Sequence, residues 1–401
     1  FILLTLPVSA SVQFWETRHI TNVSGRRSSM EFAPSPTYHC LQNHRTEAMQ
    51  VLQLRSQPGF AAGILLLGYL GLAFAVSAGA PRCSAQDTVV LVGSGSTVPA
   101  LLFAKWSQEY NQRDPALQMR YLPVGSSESI AEISHGVGDF GNGEIALSAR
   151  QSANGGLMEV PMIVIGIVPI YNLPGMEGEL RLSGAVLADI FLGRIKHWNS
   201  ASIAHLNPQL VLPDLPIKVV YRPAGKGSNY VFSEFLSRSS VQFRAQIGIG
   251  PSPRWPVGSP AERSSDMAEK VEREPGSIGY VETQYAAKMN VAGAAVLNPA
   301  GRFVKASREA LANACRAVEA PGFDRFSASL VNAPGEESYP ITSFSWLYLR
   351  TASPDAWRAK FLADWLHWMF SSGQQIAAHE GYALLPAPLL ANVQAKVDSL
   401  H

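Results

Sequence analysis

The chain has 401 residues, 47% of them hydrophobic and 16% charged, with a formal net charge of +1. That suits one or two globular domains with real cores and excludes a disordered chain. A near-neutral balance argues against a nucleic-acid binder, which needs clustered Lys and Arg.

Residues 1–48 begin with Phe and show no clear period. They read either as a leader translated ahead of a start at Met49 or as a disordered extension, and no function is assigned to them. Residues 49–86 have the pattern of an export signal: Arg55, the apolar core Ile64–Val76 and small residues from Ser77 to Ala80. Cleavage after Ala85 is expected, and an uncleaved anchor over Phe60–Ala80 is the competing reading. Of the three cysteines, Cys40 and Cys83 precede that point, so the mature chain keeps only Cys315 and no internal disulfide. Cys315 shares a helical face with Leu311 and Val318 and reads as a small core residue. The cysteines form no CxxC and the nine histidines no HxH or HExxH pair, so neither a metal site nor a cofactor is expected.

The mature chain is organised around Val89–Trp106. Val89 to Val92 is a short apolar run suited to a buried strand, Gly93-Ser94-Gly95-Ser96 turns sharply, Thr97 is a fitting N-cap, and Pro99 fits a first helical turn. From Asp87 onward strand and helix patterns alternate, the signature of mainly parallel sheets. Gln118–Leu122 alternates like a strand, and Val124-Gly125-Ser126-Ser127 leads into a helix. Asp139–Glu144 reads as a tight polar loop, and Pro161–Ile170 as a buried strand. Leu182–Phe191 has helical spacing, and Ile217–Tyr221 is a strand ending at Arg222. Lys226-Gly227-Ser228 then opens another helix. Ser277–Glu282 is a strand and Ser307–Ala320 a helix. Pro340–Leu349 is a long apolar and aromatic strand. The final amphipathic helix is expected to bury Trp357, Phe361, Trp365 and Met369. Trp198, Trp255, Trp365 and Trp368 read as core or interface residues.

Two long apolar strands that cross between halves suggest two α/β lobes with a cleft between them. Lobe 1 would combine 87–170 with 338–401, and lobe 2 would be 171–337. The hinge falls near 168–171 and 338–343.

Three Gly/Ser turns at helix starts favour an anion, because unpaired N–H groups point outward there. Thr97, Ser126 and Ser228 each add a hydroxyl; any one alone reads better as a helix cap, and it is their convergence that favours a ligand. Arg222 offers a fork for two anion oxygens, with a structural salt bridge as its plain alternative.

At these residues the sequence resembles the periplasmic phosphate-binding protein of the high-affinity ABC phosphate importer. The matching segments are GSGSTVPALLFAKW (93–106), VGSS (124–127), DFG (139–141), ADIFLGRIKHWN (188–199), LNPQLVLPDLPIKVVYR (206–222), RWPVG (254–258), PGSIGYVE (275–282) and YPITSFSW (339–346). The resemblance implies an α/β, two-lobed type II periplasmic-binding fold with the anion in the cleft. Carried over by position, it implies phosphate contacts from Thr97, Val98, Ser126, Glu144, Arg222, Lys226, Gly227 and Ser228. The family's acid is usually Asp where this chain has Glu144, and the Asp that pairs with its arginine is Ala224 here. Lys226 replaces a Ser, and Ser259–Ser265 replaces a Gly/Lys-rich loop.

A carboxylate beside an anion repels it unless the ligand donates a proton, which monohydrogen phosphate has and sulfate lacks. Glu144 is therefore expected to favour phosphate; its plain alternative is a bond to Arg222 or Lys226. Lys226 reads as a second cation or as a solvent-facing side chain. The expected protein is a non-enzymatic periplasmic receptor, monomeric, that delivers inorganic phosphate to an inner-membrane ABC permease. The alternatives are a receptor or sensor for another tetrahedral oxyanion, or a secreted phosphatase-like enzyme.

Overall fold

The computed structural model describes residues 88–154, 156–318, 328–352 and 355–399. The expected leader over 1–48 and export signal over 49–86, with Cys40 and Cys83, lie outside the described residues. The first elements are β1 (Val89–Gly95), α1 (Ala100–Arg113), β2 (Leu117–Leu122), α2 (Ser126–Ser134), β3 (Phe140–Gly143) and β4 (Leu157–Tyr171). Then come β5 (Arg181–Leu182), α3 (Gly184–Phe191), α4 (Ala201–Leu206), β6 (Lys218–Tyr221), α5 (Gly227–Ser239) and α6 (Val241–Gln246). β7 (Ser259–Pro260), α7 (Ser264–Arg273), β8 (Ser277–Glu282), α8 (Thr283–Lys288), β9 (Ala295–Leu297), β10 (Phe303–Val304) and α9 (Arg308–Arg316) follow. β11 (Thr342–Arg350) precedes α10 (Ala356–Met369), α11 (Ser372–His379) and α12 (Ala387–Asp398).

One eight-stranded sheet, in the order β2-β1-β3-β11-β4-β8-β6-β7, carries the fold. β2, β1 and β3 are parallel at one end, and β8, β6 and β7 are parallel at the other. β11 and β4 join them, each antiparallel to its neighbours. β4 is the joint. Its residues 157–166 pair with β11, whereas Ile167 to Tyr171 pair with β8. Nearly every side chain of β4 is buried, as expected for a strand covered on both faces.

β4 contains Pro161, which has no N–H to give to a ladder. The register with β11 shifts at that point, so Ser345 faces Ile163 while Trp346 faces Pro161. A bulge of this kind re-aims side chains, and here Ser345 is turned towards the end of β3.

Each end of the sheet has its own aromatic core. At one end Phe103 stacks on Tyr121 with ring centroids 4.0 Å apart, and Phe140 stacks on Trp365 at 4.9 Å. At the other, Phe232 stacks on Tyr280 at 4.3 Å, with Phe191 and Trp255 around them. Trp198, Trp365 and Trp368 are buried, Trp255 packs against the core, and Cys315 is fully buried.

Three local expectations need correction. Asp139–Glu144 is not a loop, because Phe140–Gly143 forms a buried strand between β1 and β11. Glycine and Asn signal turns locally, but neighbours decide here. A Cβ on Gly141 would press on Ser129 and Tyr348, and one on Gly143 on Ser126 and Tyr348, so only glycine lets this strand lie so close. Thr97 does not cap α1: Pro99 is the N-cap residue, and Ser96 Oγ accepts from the Val98 N–H at 3.1 Å. Trp357, expected to be buried, is 55% exposed at the open end of α10, edge-on to Phe361.

Candidate functional site

Three turns meet at the C-terminal ends of β1, β2 and β6, each feeding a helix whose first N–H groups have no intrahelical acceptor. The first is the turn through Ser96, Thr97 and Val98. The second turns at Gly125, whose φ of +120° suits glycine and whose N–H donates to the Gly95 carbonyl at 2.7 Å. The third turns at Gly225, with φ +85°. The Ser127 N–H donates to the Gly225 carbonyl at 3.2 Å, which locks the second turn to the third.

Arg222, at the end of β6, is only 1% exposed. Its Nη1 donates to Ser264 Oγ at 2.6 Å, and its Nη2 to the Glu262 carbonyl at 2.8 Å and to Thr97 Oγ1 at 3.3 Å. All three acceptors are neutral, so none of them offsets the charge of the guanidinium. Its Nε is buried without a hydrogen-bond partner. Ser264 and Glu262 lie in the segment that replaces the family's Gly/Lys-rich loop, so that loop positions the arginine.

Glu144 follows β3 and is fully buried. Ser345 Oγ donates to its Oε1 at 2.8 Å and Ser126 Oγ to its Oε2 at 3.2 Å. Burial raises its pKa from the usual 4.5 to about 7, against hydroxyls of Ser96, Ser345 and Ser126 that favour the carboxylate; Glu282 adds repulsion. The carboxylate lies against Gly227, the first residue of α5, where any Cβ would overlap both it and the Ser126 hydroxyl. Neither Arg222 nor Lys226 is among its hydrogen-bond partners.

The remaining expected residues are close by. Ser228 is buried in the first turn of α5. Lys226 is half-buried and reaches over the second turn, where a Cβ on Gly125 would stand 3.6 Å from its Nζ. Burial, and then Arg222, lower its pKa. Val98 buries its side chain, and its carbonyl accepts from Tyr382 at 3.4 Å. The structure thus brings all eight residues to one junction. Asp139 of the DFG motif has a structural role, pairing with Arg358 at 2.7 Å and accepting the Val92 N–H at 2.7 Å.

Ser345, Ser264 and Glu282 were not singled out in the sequence as site residues. Ser345 had a signal, a hydroxyl between Phe344 and Trp346 in an aromatic strand, but its aim depends on the bulge. Glu282, at the end of β8, is fully buried, and neither carboxylate oxygen has a hydrogen-bond partner. Among the described residues no group of His, Cys, Asp and Glu is arranged to hold a metal.

A family model described as a PBP superfamily domain matches residues 83–372. Fold and junction together define a two-lobed solute-binding protein of the type II periplasmic-binding class. The phosphate-binding protein PstS of Xylella fastidiosa (strain 9a5c) is 35% identical over 316 residues, covering 79% of this chain and 86% of that protein. PstS of Pasteurella multocida (strain Pm70) is 34% identical over 307 residues, covering 76% and 89%. The crystal structure of a phosphate-binding protein from Stenotrophomonas maltophilia shares the fold. Its TM-score is 0.57 at 16% identity, over 77% of this chain and 94% of that one. The chain belongs to the PstS phosphate-binding protein family of the PBP superfamily.

Proposed function

We propose that the protein is the receptor of an ABC phosphate importer, capturing inorganic phosphate outside the inner membrane and delivering it to the permease. The observation that carries this reading is Arg222: a buried guanidinium held by neutral acceptors, with an unfilled N–H, where three helix starts meet. The relatives from Xylella fastidiosa and Pasteurella multocida are named as phosphate-binding proteins, which supports a binding role over catalysis. The ligand set in this reading is Thr97, Val98, Ser126, Glu144, Arg222, Lys226, Gly227 and Ser228. Hydrogen bonds to a charged group contribute about 1.5–3 kcal/mol each, so a handful gives micromolar affinity or tighter. Above about pH 7, where the Glu144 carboxyl is ionised, it accepts the proton of monohydrogen phosphate but repels sulfate, so phosphate is favoured there.

The lobes in this reading are 87–170 with 338–401, and 171–337. The change of partner along β4 supports a hinge there, since a strand shared by two sheet halves can rotate between them. A cleaved export signal over 49–86, a periplasmic location and a monomeric state complete the proposal. No helix among the described residues is long and apolar enough to cross a membrane. Calorimetry with phosphate, arsenate, sulfate and molybdate tests it. Phosphate should bind at least about tenfold more tightly than sulfate. Equal binding of the two would count against it, and hydrolysis of a phosphate monoester would favour an enzyme.

A further inference from the structure

The Glu144 carboxylate is surrounded by groups that would suit a ligand oxygen. Its two oxygens take hydroxyls from Ser345 and Ser126 at 2.8 and 3.2 Å, Ser96 adds a third hydroxyl, and the carboxylate rests on Gly227. These are the groups an oxyanion needs: hydroxyl donors and the first residue of a long helix, where the macrodipole favours negative charge. The carboxylate is fully buried, so it shares this place with no solvent. Arg222 and Thr97, by contrast, bond to each other, at 3.3 Å, rather than to Glu144.

We propose that Glu144 is a tethered competitor for the anion pocket, a side-chain carboxylate that holds the α5 start and the serine hydroxyls until a free anion displaces it, and that it then contacts that anion from beside the pocket. The reach needed is that of Glu. The backbone of residue 144 is fixed beside Ser126, whose Oγ accepts the Glu144 N–H at 3.4 Å, and beside β3, which is locked between β1 and β11. From that fixed point a side chain one methylene shorter retracts from Gly227 while keeping its charge and its ability to accept a proton. The consequence is a receptor whose affinity is set below what its donors could give, and whose pocket fills itself when phosphate is scarce.

This inference rests on the phosphate reading, and the test separates the two. Phosphate titrations of the full chain by calorimetry compare the wild type with Glu144→Asp and, as a control on the pocket itself, with Arg222→Ala. A competitor predicts that Glu144→Asp binds phosphate at least about tenfold more tightly, with Arg222→Ala weakened. A carboxylate that only contacts the ligand where it stands would lose contact in Glu144→Asp, so unchanged or weaker binding overturns the proposal. If Arg222→Ala binds as the wild type does, the phosphate reading falls whatever Glu144→Asp shows. If none of the three proteins binds, both readings fall. Thermal melts of each variant identify a loss of fold, and Glu144→Gln, which keeps the shape and removes the charge, repeats the comparison. With Gln, a competitor predicts a gain in sulfate affinity of at least about tenfold, and no gain overturns it.

Discussion

The two ends of the eight-stranded sheet bring opposite chemistry to one junction. The end built on β1, β2 and β3 supplies neutral hydroxyls, from Ser96, Thr97 and Ser126, together with the acid Glu144. The end built on β6 supplies the cations, Arg222 and Lys226. Their construction differs as well. The hydroxyl end relies on glycines that bring strands and helix starts into close approach, whereas the cationic end relies on a long side chain clamped by Ser264 and the Glu262 carbonyl. Neither end is an anion site alone. The first has donors but carries its own negative charge, and the second has charge with few hydroxyls. An anion bridging the two gains from both, which is why closure about β4 and binding belong to one event in the proposed receptor.

Removing the cation should break the comparison most severely. Arg222→Ala deletes a charged fork and leaves Thr97 without its donor. Calorimetry should show phosphate affinity falling by at least about 100-fold, because two charged hydrogen bonds are lost. Arg222→Lys keeps the charge without the fork and should still lose about tenfold. A variant of either kind that binds like the wild type would show that the cationic end is not used.

The acid at the other end gives a pH signature. Burial raises Glu144 from 4.5 to about 7, so the folded protein holds a proton that the unfolded chain has released. The stability due to the protonated form is complete below about pH 4.5 and is lost as the pH rises through about 7. Glu144→Gln removes that loss, so denaturant unfolding should find it about 2–3 kcal/mol more stable than wild type near pH 8. Near pH 4 the two proteins should unfold alike. Equal stability at both pH values would mean that the carboxyl titrates normally. Gly227→Ala strikes the same place sterically: the added methyl meets the Glu144 carboxylate and the Ser126 hydroxyl. Overpacking of this kind costs about 1–3 kcal/mol, and phosphate affinity should fall with it.

The two ends also differ in what the sequence disclosed. At β1 the apolar run, the Gly/Ser turn and the helix were legible because each is a local signal. The three turns were recognisable as anion-suited for the same reason. What escaped was decided by distant neighbours. β3 looked like a loop because Gly141, Asn142 and Gly143 have turn chemistry, and only its packing against Ser129 and Tyr348 makes it a strand. Ser345 escaped because a shift opposite Pro161 aims it. Ser264 and Glu262 looked like a departure from the family, yet they hold Arg222. Trp357 was misplaced because periodicity gives a helix face but not where along the helix the cover ends.

Lys226 should have the smallest effect, and the reason sharpens the contrast with Arg222. Both are cations of the same turn, but Arg222 is 1% exposed and clamped, whereas Lys226 is half-buried with its ammonium over Gly125. Burial and the nearby guanidinium push its pKa down, so the site already resists this second charge. A flexible, partly solvated ammonium attracts an anion mainly through space, and salt screens that attraction over about 10 Å at 0.1 M. Lys226→Ala should therefore weaken phosphate binding by only about two- to fivefold at low ionic strength. In about 0.5 M chloride the difference should nearly vanish, while that of Arg222→Ala persists, because buried pairs are screened much less. A loss for Lys226→Ala as large as that for Arg222→Ala, and as insensitive to salt, would make Lys226 a direct ligand of equal rank. The cationic end would then hold its anion with two clamps instead of one.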